Sequence, residues 1–129
     1  MPNSNGVTVK ALNNFGDARG DMFRLDDEAV AFVGNLQDVH FGAILPGATR
    51  GNHYHLTRKE LLILIYTVEC TVAWQEGEDG EIVRRVFEGN GSVALGFEAG
   101  VTHTIKNTGK APMSLIALSD GAVQTQQPD

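Results

Sequence analysis

The chain has 129 residues, 42% of them hydrophobic, and a formal net charge of −6. This length suits one domain that can bury a core without disulfides, and the apolar fraction excludes an intrinsically disordered chain. The acidic balance, with no basic cluster larger than Arg84-Arg85, argues against a nucleic-acid partner because phosphate backbones repel an acidic surface.

Three features of the sequence bear on the cellular location of the protein. The single Cys70 cannot form an internal disulfide and is expected to be a small buried hydrophobe. The N-terminus lacks the apolar core of a signal peptide, and the longest apolar run, residues 61–66, is too short to span a membrane. We therefore expect a cytoplasmic protein without a membrane partner.

The predicted elements are short strands separated by turns. Residues 60–70 form the strongest strand, apolar on both alternating faces, so both faces are expected to be covered. Glu78-Asp79-Gly80 is typical of a hairpin turn, and residues 122–129 of a frayed tail. No window shows a sustained helical period, so the pattern predicts one all-β domain over residues 1–129, a sandwich or a barrel. The predicted strands cover residues 7–12, 22–25, 29–33, 39–45, 60–70, 71–75, 82–87, 92–95, 102–106 and 113–118.

Three of the four histidines are placed where a metal could bind. His53 and His55 lie two positions apart, so on a strand they share one face. Glu60 opens the next strong strand, and a barrel could bring His103 from its own strand as a further ligand. Nitrogen and carboxylate donors of this kind suit a transition metal, although a histidine on a strand is more often hydrogen-bonded or exposed.

The same residues resemble the two motifs of the cupin family. Gly47, His53-Tyr54-His55 and Glu60 match G-x5-H-x-H-x4-E, and Gly100, His103 and Asn107 match the end of the second motif. The sequence departs from the pattern at Thr67, where glycine is usual, and at Glu98-Ala99, where proline precedes the glycine. His40 fits neither motif and is interpreted as a core or surface histidine, with a pocket role as the lesser alternative.

The cupin resemblance implies a jelly-roll barrel, or double-stranded β-helix, with its core at about residues 38–118 and N-terminal strands within residues 7–33. It implies that His53, His55, Glu60 and His103 bind one divalent transition metal. The ligand set accepts Zn, Mn, Fe, Ni, Co or Cu, so the identity of the metal stays open. Cupins commonly pair their sheets, and we therefore expect a homodimer.

A finer resemblance concerns the substrate. Arg50-Gly51-Asn52-His53 is similar to the R-G-x-H segment of sugar-nucleotide cupins, among them 3,5-epimerases, ketoisomerases and the cupin half of certain capsule-synthesis enzymes. Residues 17–23, which include Asp17, Arg19 and Gly20, resemble the D-x-R-G-x-(x)-F segment of the epimerases. The resemblance implies that Arg19 and Arg50 bind the diphosphate and that His53 is the catalytic base beside the keto group.

Two roles compete for His53. Abstraction of a proton beside a carbonyl suits an imidazole, whose ordinary pKa is near neutral. A lone pair that ligates a metal cannot also accept that proton, so either another group moves the proton or the metal is incidental. The alternative functions are a metal-dependent dioxygenase of a small organic substrate and a non-enzymatic module that binds a metal or a small molecule.

Overall fold

The computed structural model describes residues 3–54 and 57–121, and for residues 3, 4 and 53 it describes the backbone alone. Within this part of the chain almost all regular structure is strand, with one short helix. In chain order the elements are β1 (Asn3–Ser4), β2 (Val7–Leu12), α1 (Asp27–Val33), β3 (Asp38–Ile44), β4 (Thr49–His53), β5 (Glu60–Tyr66), β6 (Glu69–Glu76), β7 (Ile82–Glu88), β8 (Gly91–Phe97), β9 (Val101–Lys106) and β10 (Met113–Ser119).

The strands form two antiparallel sheets that enclose one core. The six-stranded sheet has the order β1-β2-β8-β5-β10-β3, and the four-stranded sheet has the order β4-β9-β6-β7. From β3 to β10 the chain crosses repeatedly from one sheet to the other, apart from the β6–β7 hairpin. This topology is a double-stranded β-helix, so the expected all-β jelly-roll barrel is confirmed.

The core lies between the two sheets. Strand β6 alternates buried and half-buried residues, and its buried members Cys70, Val72 and Trp74 face Leu62 and Leu64 of β5 in one cluster. Removing each large apolar side chain from water contributes about 1.5–3 kcal/mol, so burial of this cluster favours closure of the barrel.

The N-terminal region contains a helix where a strand was predicted. Residues 29–33 belong to α1, and residues 22–25 form no strand, so both strand predictions are wrong. The carboxylate of Asp26 caps the helix by accepting a hydrogen bond of 2.8 Å from the Ala29 amide. Ala29 and Val33, one turn apart, pack on Leu61 and Ala94 of the six-stranded sheet. The period was missed because the helix has only seven residues.

The predicted long strand over residues 60–70 is two strands. β5 ends at Tyr66 and β6 begins at Glu69 in the other sheet, and Val68 between them has a φ of 73°. The chain turns this corner at the place where Thr67 replaces the usual glycine of the motif. At Leu61 the outward face of β5 is covered by α1 of the same chain, which agrees with part of the expectation that both faces are covered.

The remaining strand predictions are confirmed to within two residues, and the hairpin at residues 78–80 joins β6 to β7. The tail at residues 122–129 lies outside the described residues. In the described ranges, every helix is too short or too polar to cross a lipid bilayer.

Candidate metal and substrate site

Glu60 and His103 meet inside the barrel. Glu60 is the first residue of β5 and His103 the third of β9, and both are at most 3% exposed. The Oε1 atom of Glu60 lies 3.3 Å from Nε2 of His103. Because the two strands belong to opposite sheets, only closure of the barrel brings these side chains together.

The surroundings of His103 fix its ring. Its Nδ1 lies 3.1 Å from the carbonyl oxygen of Val101, and since a carbonyl can only accept, Nδ1 carries the hydrogen and donates it. The ring also stacks on Phe97, with centroids 4.0 Å apart and planes inclined by 12°. In the neutral ring the Nε2 lone pair then faces a carboxylate oxygen. Two buried acceptors at this distance require a cation between them, either a proton or a metal ion.

Strand β4 places the backbone of His53 beside that of His103. His53 is the register partner of His103, and a bulge precedes it, with Asn52 as the extra residue at a φ of 64°. Without the bulge, Asn52 would oppose His103 and the register of His53 would shift by one position. The backbone of β4 comes so close that a Cβ on Gly51 would lie 2.6 Å from the His103 carbonyl oxygen.

The structure describes the four expected ligands to different extents. Glu60 and His103 are adjacent, His53 is placed by its backbone register, and His55 lies outside the described residues. Among the side chains that are described, no three of the types His, Cys, Asp and Glu cluster closely enough to hold a metal by themselves.

A small cavity of about 30 Å³ adjoins this pair. One water needs roughly 10–15 Å³ measured in this way, so the cavity has room for an ion or two waters and not for a sugar. Arg50 of β4, an exposed residue, lies on its wall together with Glu60 and His103. A larger substrate would have to lie at the open end, where Arg50 could contact it.

The structure places His40 on the same wall, which agrees with the pocket role that was the lesser alternative for this residue. Its Nδ1 lies 2.9 Å from Oδ2 of Asp38, and the imidazole is 52% exposed. The signal in the sequence was an acidic residue two positions before a histidine on a predicted strand, because such residues share one face.

Arg19 lies elsewhere. Its guanidinium donates to both carboxylate oxygens of Asp17 at 2.6–3.1 Å, and this contact lowers the pKa of the Asp17 carboxyl. The segment that follows, residues 22–25, borders the outer face of the six-stranded sheet beside Ile63 and Ile65. Within one chain, the structure therefore does not bring Arg19 together with Arg50.

Gly47 and Asn107, the outer residues of the two motifs, have a structural role. Gly47 has a φ of 81° and its amide donates to the Asn107 carbonyl at 2.8 Å. The Asn107 side-chain amide in turn donates to the carbonyls of Ile44 and Ala111, both at 2.8 Å. The bonds to Gly47 and Ile44 hold the turn between β3 and β4, and the bond to Ala111 holds the connection between β9 and β10.

Comparison with known proteins gives one family match. The model of a family described as polysaccharide biosynthesis C-terminal domain matches residues 16–129. Comparison with curated protein sequences finds no match.

Solved structures with the same fold include a capsular polysaccharide assembling protein, an epimerase and a ketoisomerase. The capsular polysaccharide assembling protein CapF from Staphylococcus aureus is 24% identical, with a TM-score of 0.60 over 92% of this chain and 33% of its own. The rmlC epimerase from Mycobacterium tuberculosis is 15% identical, with a TM-score of 0.73 over 95% and 66%. A mutant of the 3,4-ketoisomerase QdtA from Thermoanaerobacterium thermosaccharolyticum, in complex with TDP-4-keto-6-deoxyglucose, is 14% identical, with a TM-score of 0.66 over 93% and 83%. This chain thus spans about a third of CapF and about two thirds of the epimerase.

Proposed function

Because the chain belongs to the polysaccharide biosynthesis C-terminal domain family, we propose that it is a metal-binding cupin that epimerises or isomerises a keto-sugar nucleotide or a related carbohydrate. The observation that carries the proposal is the cavity in which the buried pair of Glu60 and His103 adjoins an exposed arginine, Arg50. The pair could hold a cation, and the arginine could hold a phosphate.

The proposed metal ligands are His53, His55, Glu60 and His103. The donor set fits a divalent transition metal, since imidazole nitrogens and one carboxylate are common ligands of such ions. The hydrogen bond from His103 Nδ1 to the Val101 carbonyl is the orienting contact that metal-binding histidines usually make. When bound, the metal would act as a Lewis acid toward a substrate oxygen.

With His53 proposed as a ligand, its expected role as the base cannot hold at the same time. The proton beside the keto group must then be taken by a different group at the open end of the cavity. The reason is that a nitrogen lone pair of His53 that binds the metal cannot also accept a proton.

Arg50 is the side chain we propose for the diphosphate. A guanidinium can donate two parallel hydrogen bonds to phosphate oxygens, which a lysine cannot do. Arg19 remains a second candidate, on its resemblance alone. The relatives support the substrate class, because the bound ligand of the ketoisomerase is TDP-4-keto-6-deoxyglucose.

The experiment is exchange of solvent deuterium into a nucleoside-diphosphate 4-keto-6-deoxy sugar, followed by NMR. We expect the native protein to introduce deuterium at a carbon beside the keto group. Glu60→Gln should abolish the exchange, whereas Glu88→Gln, at an exposed position on β7, should leave it unchanged.

Absence of exchange with every such substrate would overturn the proposed reaction. Oxygen uptake by the metal-loaded protein would then favour a dioxygenase, and binding without turnover would favour a non-enzymatic module.

A further inference from the structure

His40 and Asp38 form a pair on the wall of the cavity that the proposed function leaves without a role. Both lie on β3, at the edge of the six-stranded sheet, two positions apart. His40 is the register partner of Ala117, which in turn opposes Leu62, and both of those residues belong to the barrel core. Its neighbours on β3, Val39 and Phe41, have the opposite, outward register. His40 therefore faces the inside of the barrel, at the edge strand of the six-stranded sheet.

The contact with Asp38 fixes the tautomer of the neutral ring. Nδ1 of His40 lies 2.9 Å from Oδ2 of Asp38. A carboxylate can only accept, so Nδ1 carries the hydrogen, and in the neutral ring Nε2 is left with its lone pair. A carboxylate in this position also stabilises the imidazolium that forms when Nε2 takes a proton. The pair thus has the composition of a general base with a carboxylate that orients it.

We propose that His40 is the catalytic base that takes the proton beside the keto group, and that Asp38 positions it. This inference rests on the proposed function and resolves the conflict over His53, because His40 belongs to neither metal-binding motif. Among the described residues, the other charged or titratable groups on this cavity wall are Arg50 of β4, Glu60 of β5 and His103 of β9. Each of them has a different proposed task, in binding the phosphate or the metal.

The step balances without a further reactant. The carbon–hydrogen bond next to the keto group breaks, its electron pair forms a carbon–carbon double bond, and the keto oxygen receives the carbonyl π electrons. The proton passes to Nε2 of His40, which becomes an imidazolium. Half of this side chain is exposed, so its proton exchanges with water. Return of a proton from water to the carbon restores the keto group, and loss of the imidazolium proton to solvent restores the base.

The test compares deuterium exchange, metal content and melting temperature in variants of the full chain. A positioned general base contributes roughly 10²–10⁴-fold to a rate, so His40→Gln should slow exchange by at least about a hundredfold. Metal content and melting temperature should stay at the native values, because the side chain is half exposed and is no ligand. In His40→Ala, added imidazole should restore part of the exchange.

Asp38 is proposed to act through His40, so its role is tested separately, by comparing kcat and KM. Asp38→Asn should lower kcat by about tenfold or more with little change in KM, and Asp38→Glu should recover part of the loss. Asp79→Asn, in the exposed turn between β6 and β7, is the matched control and should match the native protein.

The outcomes separate this inference from the proposed function. If the native protein exchanges and His40→Gln exchanges within threefold of it, His40 is not the base, while the proposed reaction stands. If the native protein exchanges no proton of any keto-sugar nucleotide, both are overturned. Loss of metal from His40→Gln would also contradict the assignment, because it would make His40 part of the metal site.

Discussion

The Nε2 atom of His103 and the Oε1 atom of Glu60 lie 3.3 Å apart in the interior of the barrel, and the other ring nitrogen of the histidine donates a hydrogen bond to the Val101 carbonyl. An ionised carboxylate next to a lone pair is costly to bury unless a cation joins them. We therefore predict one equivalent of a divalent transition metal per chain, measured by elemental analysis of freshly purified protein. His103→Ala should lose it, and Glu60→Gln should bind it at least tenfold more weakly.

Removal of the metal should also reduce stability. A ligand at about 100 times its dissociation constant adds ~2.7 kcal/mol to the free energy of unfolding. Chelation should lower the melting temperature of the native protein, and His55→Ala should abolish that difference. Unchanged metal content in both His53→Ala and His103→Ala would show that the cation at this pair is a proton.

The close approach of β4 to β9 gives a prediction that needs no ligand. Gly51 has a φ of 98°, and a Cβ there would lie 2.6 Å from the backbone oxygen of His103. Gly51→Ala should destabilise the fold and reduce metal content, because β4 must move away from β9. Gly89→Ala is the control: its φ of 84° imposes similar backbone strain, of about 1–2 kcal/mol, but nothing lies within 4 Å of its Cβ. Equal urea midpoints for the two variants would show that the close approach has no energetic consequence.

Much of the fold could be predicted because β-strands and turns leave local signals. Alternation and glycine-containing turns located most strands to within two residues. The corner at Val68 could not be found in this way, because an apolar run continues through it and only the sheet assignment of β5 and β6 reveals the break. Helix α1 was missed because its cap at Asp26 is followed by only two turns.

The site was predictable only where a motif exists. The pairing of Glu60 with His103 follows from motif spacing, although they are 43 positions apart. The role of His40 depends on which strand forms the sheet edge beside the cavity, and no local pattern gives the strand order. For the same reason the two arginines looked equivalent in the sequence, although one lies at the cavity and the other in a loop beside the outer face of the sheet.

The two arginines can be separated by binding measurements. Arg50 adjoins the cavity, and a charge-assisted hydrogen bond contributes about 1.5–3 kcal/mol. Arg50→Ala should therefore raise the Kd for a nucleoside-diphosphate sugar by about tenfold or more, with metal content unchanged. Arg19→Ala should have a smaller effect, because its guanidinium is already paired with Asp17. Calorimetric titration measures both, and an equal loss in Arg19→Ala would place that loop at the substrate.

Cys70 should make stability depend on alkaline pH. Burial, and secondarily the charge of Glu69, raise the pKa of this thiol from about 9 to about 12. The folded protein therefore keeps its proton over a range in which the unfolded chain loses it. The contribution of the protonated Cys70 thiol to the free energy of unfolding is complete below pH 9, and it is lost as the pH rises toward 12. Urea midpoints should fall between pH 9 and 11 less steeply in Cys70→Ala than in the native protein, and parallel slopes would contradict the shift.

Strand β3 leaves an apolar edge that predicts how two copies associate. Among the described strands its only neighbour is β10, and Phe41 and Val39 on its outward face are 77% and 47% exposed. Leu45, directly after the strand, is also exposed. An uncovered edge with apolar side chains favours pairing with another strand, and two identical edges can meet around a twofold axis. Because α1 already covers part of β5, the apolar faces of β5 no longer require a partner chain. The exposed edge of β3 is now the reason to expect a homodimer.

Light scattering after size-exclusion chromatography should show a dimer at micromolar concentration. Phe41→Glu should shift it to a monomer, because two glutamates would meet near the axis and lose the apolar contact. Ile82→Glu is the matched control, since Ile82 is 62% exposed on β7, the edge strand of the other sheet. A native monomer would refute the dimer, and dissociation by Ile82→Glu alone would place the interface on the four-stranded sheet. Because β3 also carries His40, a dimer formed through its edge would couple assembly to the open end of the cavity, and Phe41→Glu should then reduce deuterium exchange with its metal content intact.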